Sequence, residues 1–109
     1  GGAFYTRYAS IALQDVKVTN SGADKGAAFY LENGSGTIAR SYFTSNTATT
    51  TGGGIYVTGS QLDLIESNMT GNSPNDIACA GATINLPRPA IETGAVECLG
   101  GCNSPLCSA

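Results

Sequence analysis

The pattern of apolar and polar positions repeats along the chain with a long period. One motif recurs as Gly1-Gly2-Ala3-Phe4-Tyr5, Gly26-Ala27-Ala28-Phe29-Tyr30 and Gly52-Gly53-Gly54-Ile55-Tyr56. A second marker, an asparagine, recurs at equal spacing at Asn20, Asn46 and Asn72. Two markers with nearly the same period indicate a structural repeat.

Other positions form columns when the units are aligned at the period of the asparagines. This alignment groups Ala12 with Ile38 and Leu64, Lys17 with Phe43 and Met69, and Gln14 with Arg40 and Glu66. Lys17 is a misfit in an otherwise apolar column. The alignment also predicts that Arg40 and Glu66 are neighbours on adjacent units, as an exposed pair that stabilises the fold by about 0–1 kcal/mol.

The residue types in each unit favour strands and turns. The units are rich in Gly, Asn and β-branched residues, which disfavours helical repeats of similar length. About 25 residues suffice for one coil of a three-faced parallel β-helix, with three short strands and three turns. We therefore predict an all-β fold, a right-handed parallel β-helix of about three coils, over residues 1–86.

Stacked coils place equivalent residues in ladders about 4.8 Å apart. Asn tolerates the left-handed backbone of a tight corner, and its side-chain amide can bond to the amide of the next coil. Asn20, Asn46 and Asn72 are therefore expected to form a ladder of amides that connects the coils. Tyr5, Tyr30 and Tyr56 are expected to stack as a second ladder. For these rings, packing is favoured over a sugar-binding stripe.

The repeat decays after Asn72, and only Ala82-Thr83-Ile84-Asn85-Leu86 reads as a further strand. Pro87-Arg88-Pro89 then predicts an extended linker, because proline fixes its own backbone and restricts the preceding residue. We expect residues 87–109 to form this linker and a cysteine-rich tail.

Four cysteines, Cys79, Cys98, Cys102 and Cys107, lie in and near this tail. An even number in a chain without histidine favours two disulfides, with three connectivities open, and Cys79 joining the tail to the last coil. Four thiolates would also hold a tetrahedral zinc ion, but no Cys-x-x-Cys pair is present. We expect disulfides and no metal or other cofactor.

Composition and sequons point to an exported protein. Charged residues are only 12% of the chain, the net charge is −3, and the five basic residues are scattered, so nucleic acid is an unexpected partner. No apolar run approaches the ~20 residues of a membrane span. Asn33-Gly34-Ser35 and Asn68-Met69-Thr70 are N-glycosylation sequons. We predict a secreted or cell-surface location, with a signal peptide and earlier repeats upstream or removed.

The repeat also resembles a known family. Phe43-Thr44-Ser45-Asn46 followed by Gly52-Gly53-Gly54-Ile55-Tyr56 is similar to the paired Phe-x-x-Asn and Gly-Gly-Ala-Ile repeats of the chlamydial polymorphic outer membrane proteins. The similarity covers roughly residues 1 to 80, while Lys17-Val18-Thr19-Asn20 and Met69-Thr70-Gly71-Asn72 depart from it. This resemblance implies a right-handed β-helix on a cell surface and a role in adhesion.

Enzyme chemistry is the main alternative, because many β-helices cleave polysaccharides. It would need clustered carboxylates or a carboxylate beside a base. The candidates are Asp63, Arg40 with Glu66, and Asp15 with Lys17, but the same alignment continues the Asp15 column as Ser41 and Ser67. Serine or cysteine catalysis that relies on histidine is excluded, because the chain has no histidine. A solvated charged face is the favoured interpretation.

Two further binding functions are less favoured. Gly52-Gly53-Gly54-Ile55-Tyr56 lacks the aspartate of calcium-binding β-helix repeats. Thr47, Thr49, Thr50 and Thr51 form a threonine-rich corner of the kind that binds ice, but the other units do not repeat it. A carbohydrate-binding module remains an alternative.

We predict a non-enzymatic structural or adhesive protein, a glycosylated rod or fibre subunit. Coils in such arrays are stabilised by their neighbours, so an end without a cap needs a partner. We expect the N-terminal face, around Gly1 to Tyr5 and Ile11 to Val18, to be covered by another copy or by an upstream repeat. Copies stacked end to end and glycans are the expected partners.

Overall fold

The protein is a parallel β-helix of about three turns, built from four sheets. The computed structural model describes residues 2–88, 92–94 and 96–107, without the side chains of residues 88 and 92. Each turn of the chain adds one strand to each of three sheets, and the first two turns also add one strand to a fourth, so neighbours within a sheet are parallel and come from successive coils. Within the described residues the chain is all-β, apart from one 3-10 turn, η1, at Pro105–Cys107.

Two of the sheets, A and B, extend from the first coil toward the C-terminus. Sheet A contains β1 (Phe4–Arg7), β5 (Phe29–Glu32), β9 (Ile55–Thr58), β12 (Ile77–Ala80) and β15 (Val96–Cys98). Sheet B contains β2 (Ser10–Gln14), β6 (Ser35–Ala39), β10 (Gln61–Ile65) and β13 (Thr83–Arg88).

In the described part of the chain, sheet C has as many strands as sheet B, but they are shorter, and sheet D has only two strands. Sheet C contains β3 (Lys17–Thr19), β7 (Tyr42–Thr44), β11 (Asn68–Thr70) and β14 (Glu92–Thr93). Sheet D contains β4 (Gly22–Lys25) and β8 (Thr47–Thr51). The first two coils therefore have four strands each, and the expectation of three faces was wrong.

Alternating side chains of the strands fill a single core. The largest fully buried side chains come from sheets A, B and C, and include Phe29, Leu31, Ile38, Phe43, Ile55, Leu62, Leu64, Met69 and Ile77. Successive side chains of a strand point to opposite faces, so each strand gives alternate residues to this core. The apolar pattern of the sequence therefore determines which face of every strand is inside.

Corners between the sheets use left-handed backbone at equivalent positions in successive coils. After sheet A the residues with positive φ are Tyr8, Asn33, Gly59 and Gly81; after sheet B they are Asp15, Arg40 and Glu66; after sheet C they are Asn20, Ser45 and Gly71; after sheet D they are Gly26 and Gly52. Side chains other than Gly, Asn and Asp are uncommon in this conformation. The sharp turns of the coil explain why they occur here.

From Phe4 to Ala23, each strand residue of the first coil pairs with a residue of the second coil that is one position closer in sequence than the period of the asparagines predicts. The alignment at that period was therefore wrong by one position in the first coil. The inward columns are Leu13, Ile38 and Leu64, and Val18, Phe43 and Met69. The register of β4 with β8 shifts between Ala23 and Lys25, and the extra residue of the second coil enters there. Lys17 is therefore outward, paired with Tyr42, and is no longer a misfit.

The predicted linker was also wrong in part, because the β-helix continues beyond residue 86. Pro87 and Arg88 end strand β13, and β14 and β15 extend sheets C and A. Pro89, which belongs to the predicted linker, lies outside the described residues. The third coil does not end the β-helix but contains fewer residues than the second, since Ile77 follows its partner Ile55 more closely in sequence than Ile55 follows Phe29. The tail that follows lies over the end of the core, where Cys102 and Leu106 pack.

Candidate functional site

A buried amide ladder connects the coils at the corner between sheets C and D. Asn46 Oδ1 accepts from the Ser21 backbone N–H at 2.9 Å, and Asn72 Oδ1 accepts from the Asn46 backbone N–H at 3.0 Å. Asn46 Nδ2 also donates to the Val18 carbonyl at 3.1 Å. Asn20 is not a member, because the shorter first coil puts Ser21 at this position and leaves Asn20 exposed at a corner.

The buried carboxylate of Asp76 ends the ladder, and sequence reasoning missed this residue. Asp76 Oδ1 accepts from the backbone N–H of Asn72 at 2.9 Å and from its Nδ2 at 2.8 Å, and Oδ2 accepts from the Gly94 N–H at 2.8 Å. Asp76 is only 3% exposed. Its hydrogen bonds join the end of the third coil to the chain after β14, so its role is structural.

The tyrosine ladder lies on the outer face of sheet A, as predicted. The ring centroids of Tyr5 and Tyr30 are 4.9 Å apart, and those of Tyr30 and Tyr56 are 5.0 Å apart. Tyr5 is 54% exposed, whereas Tyr56 is 7% exposed and has Lys25 Nζ 5.3 Å from its ring centroid. The Tyr5 and Tyr30 rings are stacked, whereas the Tyr56 ring is tilted by 51° to that of Tyr30. In the stacked pair, packing uses ring faces that a sugar would need.

Polar contacts surround the exposed end of this ladder. The Tyr5 hydroxyl donates to Glu32 Oε1 at 2.7 Å, and this hydrogen bond is the main reason that the pKa of Tyr5 is raised. Glu32 Oε2 also lies 3.5 Å from Arg7 Nε. These side-chain contacts connect the first coil to the second, and they add to the backbone pairing of β1 with β5 at the surface.

The remaining carboxylates do not form a cluster with one another in the contacts that the structure shows. Asp15 Oδ1 lies 3.1 Å from Arg40 Nε, and Asp63 Oδ1 accepts from Asn85 Nδ2 at 3.0 Å. The column of Asp15 is Arg40 and Glu66, so its expected alignment with Ser41 and Ser67 was wrong, as was that of Gln14 with Arg40. Arg40 and Glu66 occupy equivalent corners of adjacent coils, as predicted.

All four cysteines form disulfides. Cys79 pairs with Cys102, and Cys98 pairs with Cys107, with Cα–Cα distances of 5.6 and 5.8 Å. Cys79 therefore joins the tail to the last coil, as predicted. The sulfurs of Cys98, Cys102 and Cys107 lie within 4.8 Å of one another, but in this state they offer no thiolate for a metal.

The sequons lie in different environments. Asn33 is exposed at the left-handed corner between sheets A and B. Asn68 is half-buried in β11, where it pairs with Tyr42 on one side and Glu92 on the other. The residue of the first coil in this column is Lys17, which pairs with Tyr42.

Two surface features remain as binding candidates. A shallow depression of about 460 Å³ lies on the outer face of sheet B, where Ser10, Ser35, Thr37, Gln61 and Asp63 line it. On sheet D, Thr49 and Thr50 donate to Asp24. Thr51 is buried, so the threonines do not present one flat array.

Among the described residues, the first coil forms an open edge that is common to all four sheets. Strands β1, β2, β3 and β4 are each the terminal strand of their sheet, and each pairs with a strand of the second coil. Phe4, Ile11 and Val16 are partly buried residues that pack against the core at this end. Strand edges of this kind are templates for further pairing.

Among the described residues, no helix has the length and apolar character that crossing a membrane requires. Comparison of the chain with protein-family models, with curated proteins and with solved structures gave no match. The resemblance to outer membrane protein repeats therefore stays a prediction.

Proposed function

We propose that this chain is a non-catalytic structural or adhesive protein of the extracellular space. We further propose that the edge of its first coil is covered by another coil, from an upstream repeat in a longer chain or, for the chain as given, from a second copy. A single observation carries the proposal: the four strands β1 to β4 end their sheets at the same end of the β-helix. The backbone donors and acceptors of these strands that point away from the second coil form a ring around an apolar centre. Another coil could pair with this ring on all four sheets.

The geometry of this ring favours a pair over an unlimited filament. A second copy related by a two-fold axis perpendicular to the helix axis presents the same ring, with its strands antiparallel to those of the first. At the other end, the disulfide-bonded tail and η1 lie over β13 and β15, where Leu106 packs on the core. A head-to-tail stack would have to place the open ring on this covered end.

The charges of the first coil are compatible with such pairing. Arg7, Lys17 and Lys25 are positive and Asp15 and Asp24 are negative; these residues lie on sheets A, C and D and at the corner after sheet B. The two rings can therefore meet without bringing a surface of one sign against itself. The low charge of the whole chain and the two disulfides at its C-terminal end are typical of a rigid extracellular protein. The exposed sequon at Asn33 supports export.

Sedimentation equilibrium tests the association. Over increasing protein concentration we expect the weight-average mass to rise from that of the 11.0 kDa monomer to twice that value and then to level off. A chain that remains monomeric at millimolar concentration contradicts the proposal, and continued growth beyond the dimer contradicts the head-to-head arrangement.

A substitution on the open edge supplies the matched test. Asp15 N–H donates to the Ala39 carbonyl, and alternation along the strand directs the Ala12 N–H away from β6, toward the open side. Ala12→Pro removes this donor, and Ala12→Ser keeps it. We expect the proline variant alone to be monomeric, with the serine variant dimerising like the parent. Turnover of acidic polysaccharides, lost on changing Asp15 or Asp63, would instead establish the enzyme alternative.

A further inference from the structure

The two disulfides of the tail are in direct contact. Cys107 Sγ lies 3.2 Å from Cys102 Sγ, although these atoms belong to different bridges. In addition, Cys79 and Cys98 are paired in register on the adjacent strands β12 and β15. The four cysteines therefore offer two further pairings, Cys102 with Cys107 and Cys79 with Cys98, between positions that are already neighbours.

Solvent exposure gives the two bridges different access to an external thiol. In one bridge Cys79 is fully buried and Cys102 is partly exposed, whereas in the other Cys98 is exposed and Cys107 is partly exposed. Thiol–disulfide exchange requires that a thiolate reach a disulfide sulfur, so access helps decide which bridge reacts first. An external thiol meets Cys98 before it can reach Cys79.

We propose that the tail is a disulfide relay, in which reduction at the exposed bridge is passed to the buried one. The thiolate of a small thiol attacks Cys98 Sγ, forms a mixed disulfide with it, and releases Cys107 as a thiolate. Cys107 then attacks the neighbouring Cys102 Sγ, which forms a Cys102–Cys107 bond and releases Cys79 as a thiolate. Cys79 takes a proton from solvent.

A second external thiolate completes the reaction. It attacks the external sulfur of the mixed disulfide, which forms the oxidised small disulfide and releases Cys98 as a thiolate that is then protonated. The net reaction consumes two small thiols and yields one small disulfide, the new Cys102–Cys107 bond, and thiols at Cys79 and Cys98. Electrons and protons balance without any other reactant.

This relay removes both disulfides between the tail and the two strands by a single two-electron reduction. Before it, Cys102 is bonded to β12 through Cys79, and Cys107 is bonded to β15 through Cys98. Afterwards both tail cysteines are bonded to each other. Apart from its backbone connection to β15, only non-covalent contacts then hold the tail on the coil, such as the hydrogen bond from the Asn103 N–H to the Ala82 carbonyl at 2.8 Å. Reduction therefore allows the tail, which covers the end of the core, to detach from it.

Mass mapping of the full chain tests the relay. The folded protein is treated with limiting 2-mercaptoethanol, quenched at intervals with iodoacetamide, digested without further reduction and mapped. We expect the first two-electron product to carry label on Cys79 and Cys98 and to contain a Cys102–Cys107 peptide. A thiol-free species with Cys79–Cys98 and Cys102–Cys107 bonds would support the relay too, because it requires the same internal step.

The opposite outcomes are equally distinct. Label on Cys98 and Cys107 with Cys79–Cys102 intact overturns the relay, as does label on Cys79 and Cys102 with Cys98–Cys107 intact. Loss of both bridges with no Cys102–Cys107 species at any time also overturns it.

A double variant separates the relay from direct attack on the buried bridge. Cys98→Ser with Cys107→Ser removes the exposed bridge and keeps Cys79–Cys102, and circular dichroism checks that the β-helix is retained. We expect reduction of Cys79–Cys102 to slow by about tenfold or more in this variant, because the internal thiolate is gone. An unchanged rate contradicts the relay.

Discussion

In the interior of the β-helix, Asn46 Nδ2 of the second coil donates to Asn72 Oδ1 of the third coil at 2.8 Å. The same Asn72 oxygen also accepts from the Asn46 backbone N–H at 3.0 Å, so one side chain closes two hydrogen bonds to the coil before it. Both residues are buried. Stacking of identical amides therefore satisfies backbone groups at a corner where the strands are interrupted.

Replacement of Asn46 tests this ladder. Asn46→Ala leaves the Ser21 N–H and the Val18 carbonyl without the partners they have now. We expect the free energy of unfolding to fall by about 2–4 kcal/mol, because each buried polar group left unpaired costs about 1–3 kcal/mol. Urea denaturation with the disulfides intact measures the change.

Asn20→Gly is the matched control, because Asn20 is the residue that simple repeat counting equates with Asn46. It is exposed at a corner with φ of 58°, a conformation that glycine adopts freely. We expect its effect to stay within about 0.5 kcal/mol. Equal losses for the two variants would refute the register described above.

The tyrosine ladder makes a second prediction about stability. Tyr30 lies between two rings, at 4.9 Å from Tyr5 and 5.0 Å from Tyr56. Tyr30→Ala should lower the free energy of unfolding by about 1–3 kcal/mol, from lost burial and two lost ring contacts. Tyr42→Ala, at a 51% exposed position on sheet C, should cost less than about 1 kcal/mol. Similar losses from both would show that stacking contributes little.

Much of this fold was predictable because the β-helix repeats its physical requirements in each coil. Apolar positions such as Phe29 and Ile55 must recur to fill the core, so the period and the fold class are visible in the sequence. The tyrosine ladder and the disulfide link from Cys79 followed in the same way, from a repeated motif and from an even number of cysteines.

The local register was not predictable from one period, because the coil lengths differ. Asn20 and Asn46 keep the spacing of Asn46 and Asn72, but the strands before them pair one position closer in sequence, which moves Asn20 out of the ladder and Ser21 into it. Lys17 in an apolar column was the available signal of this shift. Asp76 was missed because no residue at the corresponding place in earlier coils has its role, and only the shortened third coil brings Gly94 to it.

The exposed charged corner makes a third prediction, about backbone strain. Arg40 adopts φ of 50° and its guanidinium contacts Asp15 at the surface, where a pair of this kind contributes about 0–1 kcal/mol. Arg40→Gly loses the pair but removes the steric cost of a left-handed side chain, so we expect little net change in the thermal midpoint. Arg40→Val should unfold at a lower temperature than Arg40→Gly, by an amount equivalent to about 1–3 kcal/mol. Calorimetry showing equal midpoints would contradict the assigned corner.

The two sequons make a fourth prediction. In a eukaryotic secretory host, we expect Asn33 to carry an N-glycan, because it is exposed at a corner that leaves its side chain accessible. We expect Asn68 to be largely unmodified in the folded product, since it is half-buried between two paired strands. Glycopeptide mapping, with Asn33→Gln and Asn68→Gln as controls, measures both. Modification of Asn68 alone would contradict this assignment.

The pH dependence of Asp24 makes the last prediction. Hydrogen bonds donated by Thr50 and Thr49 lower the pKa of the Asp24 carboxyl below its ordinary value of 3.8, with the Thr50 bond having the larger effect. Ionised Asp24 is therefore favoured by the folded state, and its stabilising effect is present above the unfolded-state pKa and is lost as the pH falls through the folded-state pKa.

The double variant Thr49→Val with Thr50→Val removes both donors while keeping the shape of the side chains. Carbon-13 titration of the Asp24 carboxyl should show its pKa rising toward the ordinary value of 3.8. The stability difference between parent and variant should narrow as the pH falls below that value, because protonated Asp24 no longer needs the two hydroxyl donors. Thr47→Val, at an exposed position of the same strand opposite Gly22, should leave the titration unchanged. A pKa of Asp24 that does not respond to loss of both hydroxyls would show that they do not bond to the carboxylate in solution.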